Sequence, residues 1–285
     1  MVDYWGVGKA VRPLKPMIAI PTTAGTGSEV QSFALISDSE THRKMACGDP
    51  GAAPRIALLD PELTLTQPTG VTARAGIDTL AHAVETAVTL KRTPFSLMFS
   101  HRAFQFAVKA LPRVLRRPDD LEARGSMLLA AALAGTAIEN SMLGAAHSAA
   151  NPLTARRGVV HGQAVGMMLA PVVRYNAQDP DALDGYVALA HAAALVDPAD
   201  GPTEAVERVA LRIEEILDLA GFPASLEECG VSENEIPALA EAAAAEWTAR
   251  FNPRPIDIDG FARVYLAALK GRAGIAGREG RRNRL

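Results

Sequence analysis

The stretch GIDTLAHAVE, from Gly76 to Glu85, decides how the rest of the chain is interpreted. It lies in an Ala-rich segment whose apolar residues recur three and four positions apart, which predicts a helix. A helix places residues i and i+4 on one face, so the Asp78 carboxylate and the His82 imidazole can bind the same ion. Such a pair alone is more often an ordinary surface contact, so a metal site requires further ligands elsewhere in the chain.

Two more histidines can supply those ligands. His147 lies in a stretch of small residues, LGAAHSAANP, and His161 precedes another apolar helical segment. Pro152 and Gly158 interrupt the intervening chain, so we expect tertiary folding, and not one continuous helix, to bring the two imidazoles together. One carboxylate and three imidazoles are a ligand set typical of Fe²⁺ or Zn²⁺. From spacing alone, this site and a coincidental set of polar residues are equally supported.

The first 60 residues have a different pattern. Short apolar runs at residues 17–21, 32–37 and 55–60 are bounded by Asp, Gly and Pro, which predicts β-strands. From about Thr69 onward the pattern predicts helices. We therefore expect three parts, which are a β-containing segment at 1–66, a helical domain at 67–272 and a basic tail at 273–285.

A Thr/Gly loop, PTTAGTGSEV, follows the first predicted strand and spans Pro21 to Val30. Its glycines let a ligand approach the backbone closely, and backbone N–H groups and Thr hydroxyls can hold phosphate oxygens. The loop matches neither the Walker A pattern nor GxGxxG, so a phosphate-binding loop and a polar turn between strands both stay open. Lys44 follows shortly after the loop. It is interpreted either as a charged side chain in solvent or as a group that faces a cofactor.

Composition narrows the class of protein. The 285 residues are 48% hydrophobic and 21% charged, which is enough for a packed core of one large domain or two. The net charge of −3 gives no reason to expect nucleic acid or an anionic membrane as a partner. Cys47 and Cys229 form no CxxC pair, and we find no signal peptide and no run approaching the roughly 20 apolar residues of a membrane span. We therefore expect a cytoplasmic protein.

Several long motifs, taken together and in order, resemble those of the iron-containing (group III) alcohol dehydrogenase family. The matching stretches are IAIPTTAGTGSE at 18–29, RK at 43–44, ALLDPELTLTQP at 57–68, GIDTLAHAVE at 76–85, HSAANPL…VVHGQAVGMMLAPVVRYN at 147–176 and FNPRPI at 251–256. The resemblance implies an α/β plus all-α fold, in which a partial nucleotide-binding α/β domain at 1–66 is followed by a helical metal-binding domain at 67–272. This architecture is like that of dehydroquinate synthase.

The resemblance also implies an activity and a set of site residues. The activity is that of a metal-dependent, NAD(P)-linked alcohol dehydrogenase or aldehyde reductase, with Fe²⁺ as the expected metal and Zn²⁺ as its competitor. The expected substrate is a small alcohol or aldehyde. The assembly is not specified by the sequence, and a homodimer is expected only as the commonest default. The metal ligands, which are also the expected catalytic residues, are Asp78, His82, His147 and His161. The residues expected to contact NAD or NADP are Thr22, Thr23, Gly25, Thr26, Lys44 and Asn151.

Two departures from the family pattern keep alternatives open. Family members carry a preceding segment with most of the nucleotide-binding strands and a GGGS loop, so we expect an N-terminally truncated member that binds metal but holds NAD(P) weakly. The family usually has a histidine at the position of Asn151, so an amide stands here in place of an imidazole. One alternative is therefore a metal-binding remnant or subunit without a complete cofactor site. The others are a related Zn enzyme of the same superfamily and a helical bundle in which the Asp/His set is coincidental.

Overall fold

The computed structural model describes residues 2–37 and 44–272. By contacts between residues, the chain divides into two compact units, Met1–Leu143 and Gly144–Leu285. The first unit contains all the described strands and three helices, and the second is helical throughout its described part. The predicted basic tail at 273–285 lies outside the described residues.

The first unit has five short strands: β1 (Gly6–Val7), β2 (Ile18–Ala19), β3 (Phe33–Ser37), β4 (Lys44–Gly48) and β5 (Ile56–Ala57). One sheet has the order β1-β4-β3, with β1 parallel and β3 antiparallel to β4. The other is a parallel pair of β2 and β5. The three predicted strands correspond to β2, β3 and β5. The sequence pattern missed β1 and β4, because neither shows the apolar alternation of a half-buried strand and both depend on pairing partners distant in the chain.

Three helices complete the first unit: α1 (Thr69–Val88), α2 (Pro94–Arg116) and α3 (Leu121–Glu139). Local signals set where they begin. Thr93 and Ser96 form a capping box at the start of α2, and the Asp120 carboxylate accepts a hydrogen bond from the backbone of Ala123 in α3. Each of the three helices packs against the other two, and every residue of α1 from Gly76 onward is buried. The GIDTLAHAVE stretch therefore forms the centre of this unit.

One helix of the described residues, α3, is long and apolar enough by length and composition to cross a membrane. This differs from the expectation that no stretch approaches a membrane span. Within the first unit, 56% of its most apolar 18-residue window is buried, and the helix packs against α1 and α2. The core helix of a soluble protein has the same properties, so this finding is weak evidence for a membrane span.

The second unit has six helices in its described part: α4 (Ala145–Arg157), α5 (His161–Asn176), α6 (Pro180–Ala192), α7 (Pro202–Leu219), α8 (Ile236–Ala244) and α9 (Ile258–Leu269). Helix α5 packs against α4, α7 and α9, and α4 also packs against α8. The prediction that Pro152 interrupts the chain here is wrong, because α4 continues through it. The helix ends at Gly158, whose φ of 64° is the left-handed conformation typical of a helix end.

Two different boundaries divide this chain. The change from strands to helices lies between β5 and α1, close to the predicted position near residue 67. The division into compact units lies later, between Leu143 and Gly144. The predicted domain limits concern the change of secondary structure, and they stay a prediction.

Candidate metal centre and cofactor loop

The first pair of predicted metal ligands lies on α1. Asp78 and His82 are 6% and 5% exposed, and His82 Nε2 lies 3.5 Å from Asp78 Oδ1. The helix therefore brings these two side chains together on one face, as the spacing predicted. Burying a carboxylate is unfavourable unless a cation or hydrogen bonds compensate its charge, so this position in the centre of the unit suits a group that binds an ion.

The second pair lies at the beginnings of two consecutive helices of the second unit. His147 is in the first turn of α4 and is 5% exposed, whereas His161 is the first residue of α5 and is half-buried. Their ring centroids are 5.4 Å apart, with an angle of 56° between the ring planes. The residues around His147 are fully buried alanines, whose small side chains let the neighbouring backbone approach closely.

The chemistry of the four side chains fits a divalent transition metal. Carboxylate oxygens and neutral imidazole nitrogens are the ligands that Fe²⁺ and Zn²⁺ use in proteins. One carboxylate and one imidazole belong to the first unit, and two imidazoles belong to the second. Each unit therefore contains one close pair of side chains of the appropriate type.

The Thr/Gly loop lies on the surface of the first unit with its backbone packed against two helices. A Cβ atom added to Gly25 would lie 2.8 Å from the Cα atom of Ala75 in α1, and one added to Gly27 would lie 2.6 Å from that of Gly135 in α3. Any larger residue at these positions would push the loop away from the helices. The exposed residues of the loop carry hydroxyl groups, and they are Thr22, Thr26 and Ser28.

Side chains from outside the loop fix its backbone. Thr79 Oγ1, on α1, lies 3.2 Å from the carbonyl oxygens of both Ala24 and Gly25. Its hydroxyl donates a hydrogen bond that these two oxygens share. Gln67 Nε2 donates to the carbonyl oxygen of Thr22 at 2.6 Å. Since Thr79 is adjacent to Asp78, the loop is attached to the helix that carries the first ligand pair. Sequence reasoning missed both residues, although a threonine in an otherwise apolar stretch of helix is a signal.

The predicted cofactor residues are found in different environments. Thr22 and Thr26 are exposed and Thr23 is half-exposed, while Thr26 Oγ1 lies 2.8 Å from Ser28 Oγ. The backbone of Lys44 belongs to β4, but its side chain lies outside the described part of the structure. Asn151 is in the second unit, where its Nδ2 donates to Glu246 Oε2 at 2.9 Å. The assignment of these residues to the cofactor stays a prediction.

Glu29 is a buried acid at the end of the loop that sequence reasoning did not single out. Its side chain is 5% exposed, and its Oε1 atom has no hydrogen-bond partner among the described residues. Burial raises the pKa of this carboxyl, although its own backbone N–H partly offsets the effect. The loop therefore ends on a carboxyl group that burial makes harder to ionise.

Comparison with known proteins gives consistent matches over the described chain. Residues 1–61 match the family model described as iron-containing alcohol dehydrogenase. The chain is 33% identical over 270 residues to the NAD-dependent methanol dehydrogenase of Bacillus methanolicus, covering 94% of this chain and 70% of that protein. The solved structure of 1,3-propanediol oxidoreductase has a TM-score of 0.88 at 29% identity, covering 94% of this chain and 69% of that one.

A further solved structure contains the cofactor. It is the sulfoacetaldehyde reductase from Bifidobacterium kashiwanohense in complex with NAD⁺, with a TM-score of 0.83 at 29% identity, covering 94% of this chain and 68% of that one. These comparisons confirm the predicted α/β plus all-α fold and, at the level of the family, the predicted iron- and NAD-dependent oxidoreductase. Residues 72–269 match the C-terminal model of the Fe-containing alcohol dehydrogenases, and the chain therefore belongs to the iron-containing alcohol dehydrogenase family.

Proposed function

We propose that Asp78, His82, His147 and His161 together bind one divalent metal ion, with Fe²⁺ as the family metal and Zn²⁺ as its competitor. The proposal is supported by the donor chemistry of the two pairs and by their positions in motifs that resemble the family. The observation that carries it is the burial of a carboxylate and an imidazole 3.5 Å apart in the centre of the first unit. A metal ion bound here would compensate the charge of the buried carboxylate.

The proposed reaction is the interconversion of a small alcohol and its aldehyde or ketone. When bound, the metal supplies a Lewis acid for the substrate oxygen and NAD(P) supplies the hydride chemistry. In this proposal, the hydroxyls of Thr22 and Thr26, which are exposed, hydrogen-bond the cofactor diphosphate. Thr79 holds the loop backbone so that these hydroxyls keep their orientation. Burial of Asp78 and His82 keeps water away from the ligands.

The proposed substrate is a small alcohol or aldehyde. The relatives are named for methanol, 1,3-propanediol and sulfoacetaldehyde, all of which are small molecules. The net charge of −3 supports a protein that acts without nucleic acid or an anionic membrane. We also propose a cytoplasmic location and a homodimer, the commonest symmetric assembly.

Metal analysis tests the proposed ligands directly. We expect about one metal ion per chain in the purified protein and a large loss of bound metal in His161→Ala. The matched control is His191→Ala, because His191 is exposed on α6. Unchanged metal content in His161→Ala would contradict the proposal and favour a coincidental set of polar residues.

Cofactor titration separates the proposed enzyme from the second candidate. A dehydrogenase is supported if the wild-type protein binds metal, if NADH quenches the protein fluorescence in a titration, and if the protein reduces NAD(P) in the presence of an alcohol. Metal binding without NADH binding and without activity would support a metal-binding protein that lacks a complete cofactor site.

A further inference from the structure

The first turn of α4, which carries His147, has no capping side chain of its own. The residue before the helix is Gly144, and no side-chain cap hydrogen bond is formed by it. Asn252 supplies the missing acceptor, because its Oδ1 atom accepts a hydrogen bond of 3.2 Å from the backbone N–H of Ala145. Asn252 lies directly after the 3₁₀ turn Ala249–Phe251, more than 100 residues later in the chain. A side chain from a distant part of the sequence thus caps the beginning of this helix.

The side-chain amide of Asn252 donates two hydrogen bonds and accepts two. Its Nδ2 donates to Asn176 Oδ1 at 2.6 Å and to the carbonyl oxygen of Arg254 at 2.7 Å. Asn176 Nδ2 donates back to Asn252 Oδ1 at 3.0 Å. Both asparagines are almost fully buried, at 1% and 2% exposed. Since Asn176 is the last residue of α5, the Asn252 side chain connects the helix of His147 with the helix that begins at His161.

Two further side chains bond the two residues that directly follow His147 in α4. Ser148 Oγ lies 2.7 Å from Thr248 Oγ1, at the beginning of the 3₁₀ turn that precedes Asn252. Tyr265 Oη, on α9, donates to the carbonyl oxygen of Ala149 at 2.6 Å. Burial raises the pKa of Tyr265, so the phenol keeps the proton that it donates. Rotation or shift of the His147 turn would break these bonds together.

We propose that Asn252, Thr248 and Tyr265 are positioning residues that fix the first turn of α4 and so pre-orient the His147 imidazole for metal binding. The inference rests on the proposed function, in which His147 is a metal ligand. Groups that orient a ligand from behind commonly change metal affinity by about 10- to 100-fold when they are removed. We expect an effect of that size from a side chain that touches neither metal nor substrate.

The sharpest variant is Asn252→Asp, which keeps the size of the side chain. It replaces the donor NH₂ with an oxygen that faces the acceptor oxygens of Asn176 and Arg254. Titration of the metal-free full chain with Co²⁺, followed by visible absorption, should show about 10- to 100-fold weaker binding and altered absorption bands. The matched control is Asn140→Asp, because the Asn140 side chain bonds Thr136 of its own helix at the exposed end of α3. We expect wild-type Co²⁺ binding from this control.

Tyr265→Phe and Thr248→Val provide milder versions of the same test. Each removes one hydroxyl with little change of shape, so the test does not depend on Asn252→Asp folding. In the metal-free protein, the imidazole NMR signals of His147 should shift in both variants and stay unchanged in Asn140→Asp. This second readout requires no metal and is not moved by a general loss of stability.

The outcomes separate this inference from the proposed function. Folded Tyr265→Phe and Thr248→Val variants with Co²⁺ affinity within about twofold of wild type and unchanged His147 signals would overturn the inference. Wild-type Co²⁺ binding that is unaffected by His147→Ala would instead contradict the proposed ligand set. In that case the His147 NMR signals would still show whether these three residues hold the turn.

Discussion

At the scale of single residues, the candidate site depends on polar side chains whose partners lie far away in the sequence. Thr79 bonds two carbonyl groups of the Thr/Gly loop about 55 positions earlier. The Asp78–His82 pair could be predicted because residues four apart are neighbours on the surface of a helix, which is a local property. The role of Thr79 could not be predicted, because it depends on where the folded loop passes over α1.

Glu29 gives a prediction about pH at the residue scale. Its folded carboxyl keeps a proton at pH values where the unfolded carboxyl has lost it, because burial raises the pKa of the group in the native state. The unfolded state therefore gains relative stability as pH rises from about 4 towards the raised pKa. We expect Glu29→Gln, which cannot ionise, to raise Tm by a few °C at about pH 7.5 and to leave Tm unchanged near pH 4.

Thermal unfolding followed by circular dichroism across this pH range measures the effect. The control is Glu62→Gln, since Glu62 is an exposed carboxylate on the 3₁₀ turn before α1. That variant should follow the wild-type curve. Parallel curves for Glu29→Gln and wild type at all pH values would show that folding does not change the pKa of Glu29, which would contradict the prediction.

At the scale of elements, helix beginnings were predictable and strand partners were not. Helix α1 begins at Thr69, where the sequence pattern indicated the change to helices. Helix α2 begins at Pro94, directly after its capping residue Thr93, because capping and proline signals act within a few residues. Strand β4, with the sequence KMACG, has no alternation of its own and is defined by its antiparallel pairing with β3. The continuation of α4 through Pro152 also departs from its local signal.

The contact of the Thr/Gly loop with α3 gives a prediction at this scale. A Cβ atom added to Gly135 would lie 2.5 Å from the carbonyl oxygen of Gly27, which is backbone and cannot move without displacing the loop. We expect Gly135→Ala to lower the free energy of unfolding by about 1–3 kcal/mol, the usual result of overpacking. Urea denaturation gives this value, and NADH titration of the folded variant gives the accompanying loss of cofactor affinity.

The same helix offers a matched control. A Cβ atom on Gly125, also in α3, would meet Pro61 at an ordinary contact distance of 3.8 Å. Gly125→Ala should therefore stabilise the protein by about 0.5–1 kcal/mol, the gain expected when alanine replaces glycine inside a helix. Equal effects of the two alanine substitutions would show that the loop does not press against α3.

At the scale of the whole molecule, the order of motifs identified the family, but the division into two units left no trace in the sequence. Ala-rich helices lie on both sides of Leu143 and Gly144, so composition does not change there. The division depends on which helices pack together, and that is a property of the folded chain. The chain spans about 70% of the length of the methanol dehydrogenase that it matches.

The proposed ligand set makes a last prediction about both units. Two of the ligands belong to each unit, so binding of one ion by all four should stabilise both units by mass action, about 2.7 kcal/mol at 100 times Kd. Hydrogen exchange with and without Co²⁺ measures this separately for α1 and for the α4–α5 pair. We expect added protection in both regions of the wild-type chain, and its loss from both in His161→Ala. Protection confined to α4 and α5 would mean that the ion is held by His147 and His161 without Asp78 and His82, and the four-ligand site would have to be abandoned.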